Sequence, residues 1–330
     1  MSKRIARSIV LISAGLAFAS AGHAQQPGGN VVVYTSNNAE AVQTVIDVAR
    51  KQLPQVKIGT VTGGSATMLK RIEAEAAAPQ ADVFWSSSPN TLGAFKAYYT
   101  PYESPEAKAI PRELQEAGKL WTACNIHVAV MMVNRNQLGG LPEPRTWKDL
   151  LDPRWKGKII VADPSGSSTA YTILWGLGKL LGPEGLKTLA GSVVVSRNAS
   201  AVLKAVAQGE YAIGLTFESN AYAYVAGGQK EIRLVYPTDG TFVTEESVVL
   251  VKNAPNAAAA RRLYDMLLAK ETQIALLESA FRRPSRNDID VSKHVALPDL
   301  KSIKVFPVDD KEAQDKRTEF LAQWQAMQTN

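Results

Sequence analysis

Five short stretches of this sequence concentrate hydroxyl, amide and glycine residues: Thr35-Ser36-Asn37-Asn38, Thr62-Gly63-Gly64-Ser65, Ser86-Ser87-Ser88-Pro89-Asn90, Pro164-Ser165-Gly166-Ser167-Ser168-Thr169 and Ser196-Arg197-Asn198-Ala199-Ser200. Such residues at the start of helices can hold an anion without supplying charge. Free backbone N–H groups and the positive end of the helix dipole face it, Ser and Thr hydroxyls add donors, and Gly lets the backbone approach. Any one stretch reads more readily as a helix N-cap, since Ser, Thr and Asn are the favoured caps. Five of them, with doubled and tripled hydroxyls, exceed what capping asks for. The candidate ligand-binding residues are therefore Ser36, Asn37, Gly64, Ser65, Ser86, Ser87, Ser165, Ser167, Ser168 and Thr169. Arg197, the basic residue within these stretches, offers a bidentate contact to phosphate or carboxylate, or is a solvated surface side chain. Glu218, after Ile213-Gly214-Leu215-Thr216-Phe217, offers a carboxylate for a ligand ammonium or hydroxyls, or makes a hinge salt bridge.

Catalytic constellations are missing. Of three histidines, His127 lies in an apolar run and His294 near the end of the chain, neither beside a candidate nucleophile, and His23 sits in the leader described below. There is no Gly-x-Ser-x-Gly elbow, no Walker loop and no Cys/His grouping for zinc. Thr67-Met68-Leu69-Lys70 matches a Ser/Thr–Lys spacing that arises by chance in a chain of this size. Gly176-Leu177-Gly178 falls inside a predicted helix, not between a strand and a helix, so it fails as a dinucleotide loop. The composition suggests a binding protein with no catalytic residue, metal site or cofactor.

The positioning elements alternate. Val31–Tyr34, Val56–Val61 and Ala81–Trp85 read as strands, and Ala39–Gln52 and Ala66–Ala78 as helices with one apolar face. Lys158–Val161, Ser192–Val195 and Ala212–Phe217 are strands of a second unit, with helices at Thr169–Leu181 and Ala199–Gln208. This β-α-β alternation predicts α/β lobes, each an open, mostly parallel sheet flanked by helices. In such sheets ligands sit beyond the carboxyl ends of the strands, where the five stretches fall. The apolar runs His127–Val133 and Ser247–Val251 read as strands crossing between the lobes, making a hinge. Helices near Ala257–Leu268 and Glu271–Glu278 return the chain to the first lobe, and one near Asp310–Gln328 packs outside. The expected division is a leader at 1–24, a first lobe from 25–126, a second lobe at 127–240, and a return with C-terminal helices at 241–330.

The leader carries Lys3, Arg4 and Arg7, then an apolar run from Ile9 to Ala21, then Gly22-His23-Ala24. This is the pattern of a cleaved secretory signal peptide, with a run too short for a comfortable membrane span. Cleavage removes three basic residues and takes the net charge from +6 to +3. With no Lys/Arg block, a nucleic-acid partner has no electrostatic footprint. The single cysteine, Cys124, excludes an intramolecular disulfide and reads as a small buried hydrophobe.

Val33-Tyr34-Thr35-Ser36, Gln80–Trp85, Trp147–Ile159 and Gln208–Glu218 together resemble the ferric-iron/polyamine/phosphonate type of ABC-importer substrate-binding proteins, with the type II two-lobe periplasmic binding protein fold. The resemblance implies a monomeric periplasmic trap that closes on a small solute and delivers it to a membrane permease and its ATPase, without stable membrane insertion. Iron-binding members place a His in the first loop, a Glu after the third strand and adjacent Tyr residues in the second lobe. Here Asn38, Ser87 and Ser219-Asn220 stand near those positions, which argues against ferric iron and toward a phosphonate or phosphate ester. A ferric or other metal-complex ligand, a sensory role, and a periplasmic hydrolase are the alternatives.

Overall fold

The structure, a computed structural model, describes residues 29–328; the signal-peptide reading of residues 1–24 lies outside them. Among the described residues, eleven strands and ten α-helices follow one another. The strands are β1 (Gly29–Thr35), β2 (Val56–Thr62), β3 (Val83–Trp85), β4 (Tyr99–Thr100), β5 (Thr122–Asn134), β6 (Ile159–Ala162), β7 (Val193–Ser196), β8 (Ile213–Phe217), β9 (Ile232–Val235), β10 (Val243–Val251) and β11 (Arg283–Pro284). The helices are α1 (Ala39–Gln52), α2 (Ser65–Ala74), α3 (Pro89–Leu92), α4 (Ser168–Ala190), α5 (Ala199–Ala207), α6 (Glu218–Ala226), α7 (Ala257–Leu268), α8 (Lys270–Ala280), α9 (Asp310–Asp315) and α10 (Arg317–Gln328).

The sheet runs β2-β1-β3-β10-β5-β8-β6-β7. Pairs β1–β2, β1–β3, β6–β7 and β6–β8 are parallel, as two βαβ units require. The centre is antiparallel and belongs to two strands. Thirteen-residue β5 is buried at every position. Its Thr122–Val128 half pairs with β10, and from Ala129 onward it pairs with β8 and β9. Strand β10 pairs with β5 at its start and with β3 at Val248–Leu250. Strand β5 therefore passes from one lobe to the other, as the His127–Val133 run predicts. Strand β10 enters from Phe242 of the second-lobe core, and the Ser247–Val251 run expected to cross lies within the first sheet, paired with β3, β4 and the start of β5.

Cores follow the same division. Val31, Val45, Val83, Leu250, Leu263 and Leu276 fill one face of the first sheet, and Tyr34, Leu69, Phe84, Trp121 and Val249 the other. Met131, Trp147, Leu174, Val206, Ile213 and Phe242 fill the second lobe, joined by Ala313, Phe320 and Trp324 from the C-terminal helices. Trp147–Ile159 is a structural corner. Thr146 and Asp149 form a capping box, Asp152 caps the next turn, and the Trp147 ring stacks on Phe242 while its Nε1 donates to the Gly240 carbonyl at 3.1 Å. Gly176 is where α4 meets Phe242: a Cβ there would fall 2.5 Å from the ring, so packing accounts for this glycine.

Candidate functional site

The loops after β1, β2 and β3 and the loop before α4 converge where the lobes meet. Ser36 Oγ lies 2.9 Å from Ser65 Oγ and is also hydrogen bonded to Ser86 Oγ. Ser65 Oγ reaches Ser168 Oγ in the other lobe at 3.2 Å. Ser65 opens α2 and Ser168 opens α4, so the four hydroxyls gather where two helices present unsatisfied N–H groups. Ser65, Ser86 and Ser168 are buried. Gly64 lets the lobes touch here: a Cβ on it would lie 2.7 Å from the Gly166 carbonyl oxygen.

The other predicted residues spread around this cluster. Asn37 is buried; its Nδ2 donates to the Trp85 carbonyl at 3.2 Å and its Oδ1 accepts from Arg282 Nη2 at 2.8 Å. Ser87 is buried with φ of 78°, a left-handed backbone for a non-glycine residue, and its hydroxyl has no protein partner. Ser167 caps α4 by accepting from Ala170 N at 3.3 Å, and Thr169 is half-buried one residue beyond Ser168. Ser165 is exposed, its backbone N–H turned onto Asp163 Oδ1. Arg197 is exposed, its loop's Asn198 capping α5. Glu218 is buried, and both its oxygens are engaged: Oε2 accepts from Arg283 Nε at 2.6 Å, and Oε1 from Arg283 Nη2 at 2.8 Å and from the Tyr236 hydroxyl at 2.6 Å. This is the hinge salt bridge among the two sequence readings of Glu218. Trp85 and Phe217 are core residues, Phe217 stacking on His127 with centroids 4.6 Å apart.

Sequence reasoning passed over the hinge charges. After α8, Phe281 adopts a left-handed backbone at φ of 57°, and consecutive Arg282 and Arg283 follow it into different partners. Arg283 crosses to Glu218 of the second lobe. Arg282 stays with Asn37, His127 and Glu246. Burial alone would raise the Glu246 carboxyl, but Arg282, His127 and Asn125 outweigh it and hold the group at about 2. Burial pushes His127 below its ordinary range, against the hydrogen bond and charge of Glu246. The readable signal was the Arg-Arg pair between an apolar helix and a proline. Also missed was a second interlobe network beside the hydroxyl cluster. Ser88 Oγ and Asn90 Nδ2 both reach Thr172 Oγ1 at 3.1 Å, one turn along α4 from Ser168.

Two α/β lobes on crossing strands, with a hydroxyl cluster shared between them, define a two-lobe solute trap of the type II periplasmic binding protein fold. The chain belongs to the bacterial extracellular solute-binding proteins, whose pattern it matches over residues 78–315. It is 31% identical over 287 residues to an uncharacterized protein of Haemophilus influenzae, covering 81% of this chain and 80% of that one. It is 24% identical over 261 residues to iron uptake protein A1 of Synechocystis, covering 73% and 72% of the two chains. The periplasmic binding protein AfuA from Actinobacillus pleuropneumoniae, solved with fructose-6-phosphate bound, superposes with a TM-score of 0.82 at 25% identity over 91% of this chain and 99% of that one.

Proposed function

We propose that this chain is the exported, non-catalytic solute-binding component of an ABC import system, and that its solute is a small phosphate ester or phosphonate. The observation that carries the reading is the cluster Ser36, Ser65, Ser86 and Ser168, neutral donors drawn from both lobes and set at the N-termini of α2 and α4. A phosphoryl group suits that chemistry: it accepts several hydrogen bonds and carries the charge that helix N-termini favour. A hard trivalent cation prefers anionic oxygen donors. Near the positions where iron-binding members place them, this chain has Asn38, which caps α1, and the neutral Ser87. The likeness to a fold that holds fructose-6-phosphate supports the same choice.

The mechanism follows from the hinge. A solute that touches Ser36, Ser65 and Ser86 on one side and Ser168 on the other gains all its contacts only when the lobes are closed, so its differential affinity shifts the population toward that form. The closed form then docks on the permease, and opening driven by the ATPase releases the solute.

A thermal-shift panel of fructose 6-phosphate, 2-aminoethylphosphonate, inorganic phosphate, spermidine and ferric citrate tests the proposal. A phosphate ester or phosphonate should raise the melting temperature, because ligand at a hundredfold its Kd adds about 2.7 kcal/mol to stability. A rise with ferric citrate and none with the organophosphorus compounds would assign the site to iron.

A further inference from the structure

The C-terminal helices are built into the second lobe but reach the first. Ala313, Phe320 and Trp324 lie in the second-lobe core, the Tyr171 hydroxyl donates to the Ala313 carbonyl, and Lys179 on α4 pairs with Glu312 at 2.6 Å. From that anchorage three side chains meet the short helix α3 of the first lobe. Asp310 Oδ1 accepts from Asn90 Nδ2 at 2.8 Å, and Arg317 Nη1 donates to Thr91 Oγ1 at 3.2 Å. Gln314 lies against Gly93 so closely that a Cβ there would fall 1.8 Å from its Oε1.

Arg317 is the informative member. It is buried, lies 4.1 Å over the Tyr171 ring, and donates to the Pro164 carbonyl at 3.4 Å. Among the described residues it has no carboxylate within ion-pair distance. Its seat on Tyr171 and Pro164 belongs to the second lobe, whereas Thr91 belongs to the first. Parting the lobes leaves the seat and removes the Thr91 contact. Asn90 is placed in the same way: it holds Asp310 and also Thr172 of α4, so both of its second-lobe bonds break on opening.

We propose that α9–α10 is a clasp carried by the second lobe, which closes on α3 of the first and sets the open-to-closed ratio of the trap before any solute arrives. It acts on closure and not on the solute, because none of its contacts is to Ser36, Ser65, Ser86 or Ser168. The proposal rests on the two-lobe trap reading.

The test measures the interlobe distance without solute. Spin labels go on cysteines replacing exposed Lys70 of α2 and Lys204 of α5, with buried Cys124 left unlabelled. Arg317→Met should raise the open-to-closed ratio by about tenfold. Thr91→Val, which alters the other lobe and leaves α10 intact, should raise it by about threefold. Lys316→Met, on the same segment but facing solvent, should leave it at the wild-type value. Distance distributions of Arg317→Met and Thr91→Val that superimpose on wild type would overturn the clasp. The trap reading is judged apart from this, by whether any solute of the panel above shortens the wild-type distance.

Discussion

Both oxygens of Glu218 are taken by Arg283 and Tyr236, and that fixes what its removal should do. Glu218→Gln leaves the buried Arg283 without its counter-charge, so urea unfolding should show a loss of about 3–5 kcal/mol. Ser65→Ala should behave in the opposite sense. It removes the hydroxyl joining Ser36 to Ser168 and should weaken solute binding about tenfold in calorimetry, with unfolding little changed. A third residue makes a pH prediction. Burial, and then the charge of Asp310, lifts Glu245 from 4.5 to about 8; burial lifts Asp310 from 3.8 to about 6 against the hydrogen bond from Asn90. Between 4.5 and 8 the folded chain therefore holds protons on Glu245 that the unfolded chain has lost. The stability this gives is complete below 4.5 and is lost as pH rises through 8. Glu245→Gln should melt with wild type at pH 4.5 and above it at pH 8.5. At this scale the sequence exposed the serines, because hydroxyls repeated after each strand stand out from capping. It left open whether Glu218 faces a ligand, because the answer lies in Arg283, 65 residues away.

At the scale of elements, apolar periodicity placed the strands and helices of the two βαβ units within a few residues, because buried parallel strands read as continuous β-branched runs, but it passed over α6 and β9 of the second lobe. Helix α4 is broken just after the expected Leu181: Gly182, at φ of 73°, and Pro183 end one helical run, and a second continues from there to Ala190. The last helical stretch divides at Lys316 into α9 and α10. Its partner was not legible, since an amphipathic face does not say which core it joins. Phe320 packs edge-on against Tyr171 and Trp175 of α4 at centroid distances of 5.7 and 5.4 Å. Phe320→Ala should therefore cost about 3–5 kcal/mol in urea unfolding. A loss below 1 kcal/mol would mean α10 is peripheral to the second lobe.

For the whole molecule, strand β5 and the passage from Phe242 into β10 join two sheets into one hinged body, and close backbone approach at Gly64 and Gly166 marks how far the lobes come together. Gly64→Ala should hold the lobes apart and weaken binding more than tenfold while leaving the melting temperature of the solute-free protein within a few degrees of wild type. The two-lobe plan was readable from two repeated βαβ units. The charged hinge was not, because Arg282, His127 and Glu246 meet only after the chain has crossed between lobes and returned.

The central claim is that neutral donors from both lobes hold one phosphoryl group. It is tested most directly by calorimetry of the phosphate ester or phosphonate that gives the largest thermal shift, on wild type and on Ser65→Ala, Ser168→Ala and their double variant. The account predicts one solute per chain, a loss of about tenfold for each single variant, and a further loss in the double. Wild-type affinity retained in all three would contradict it.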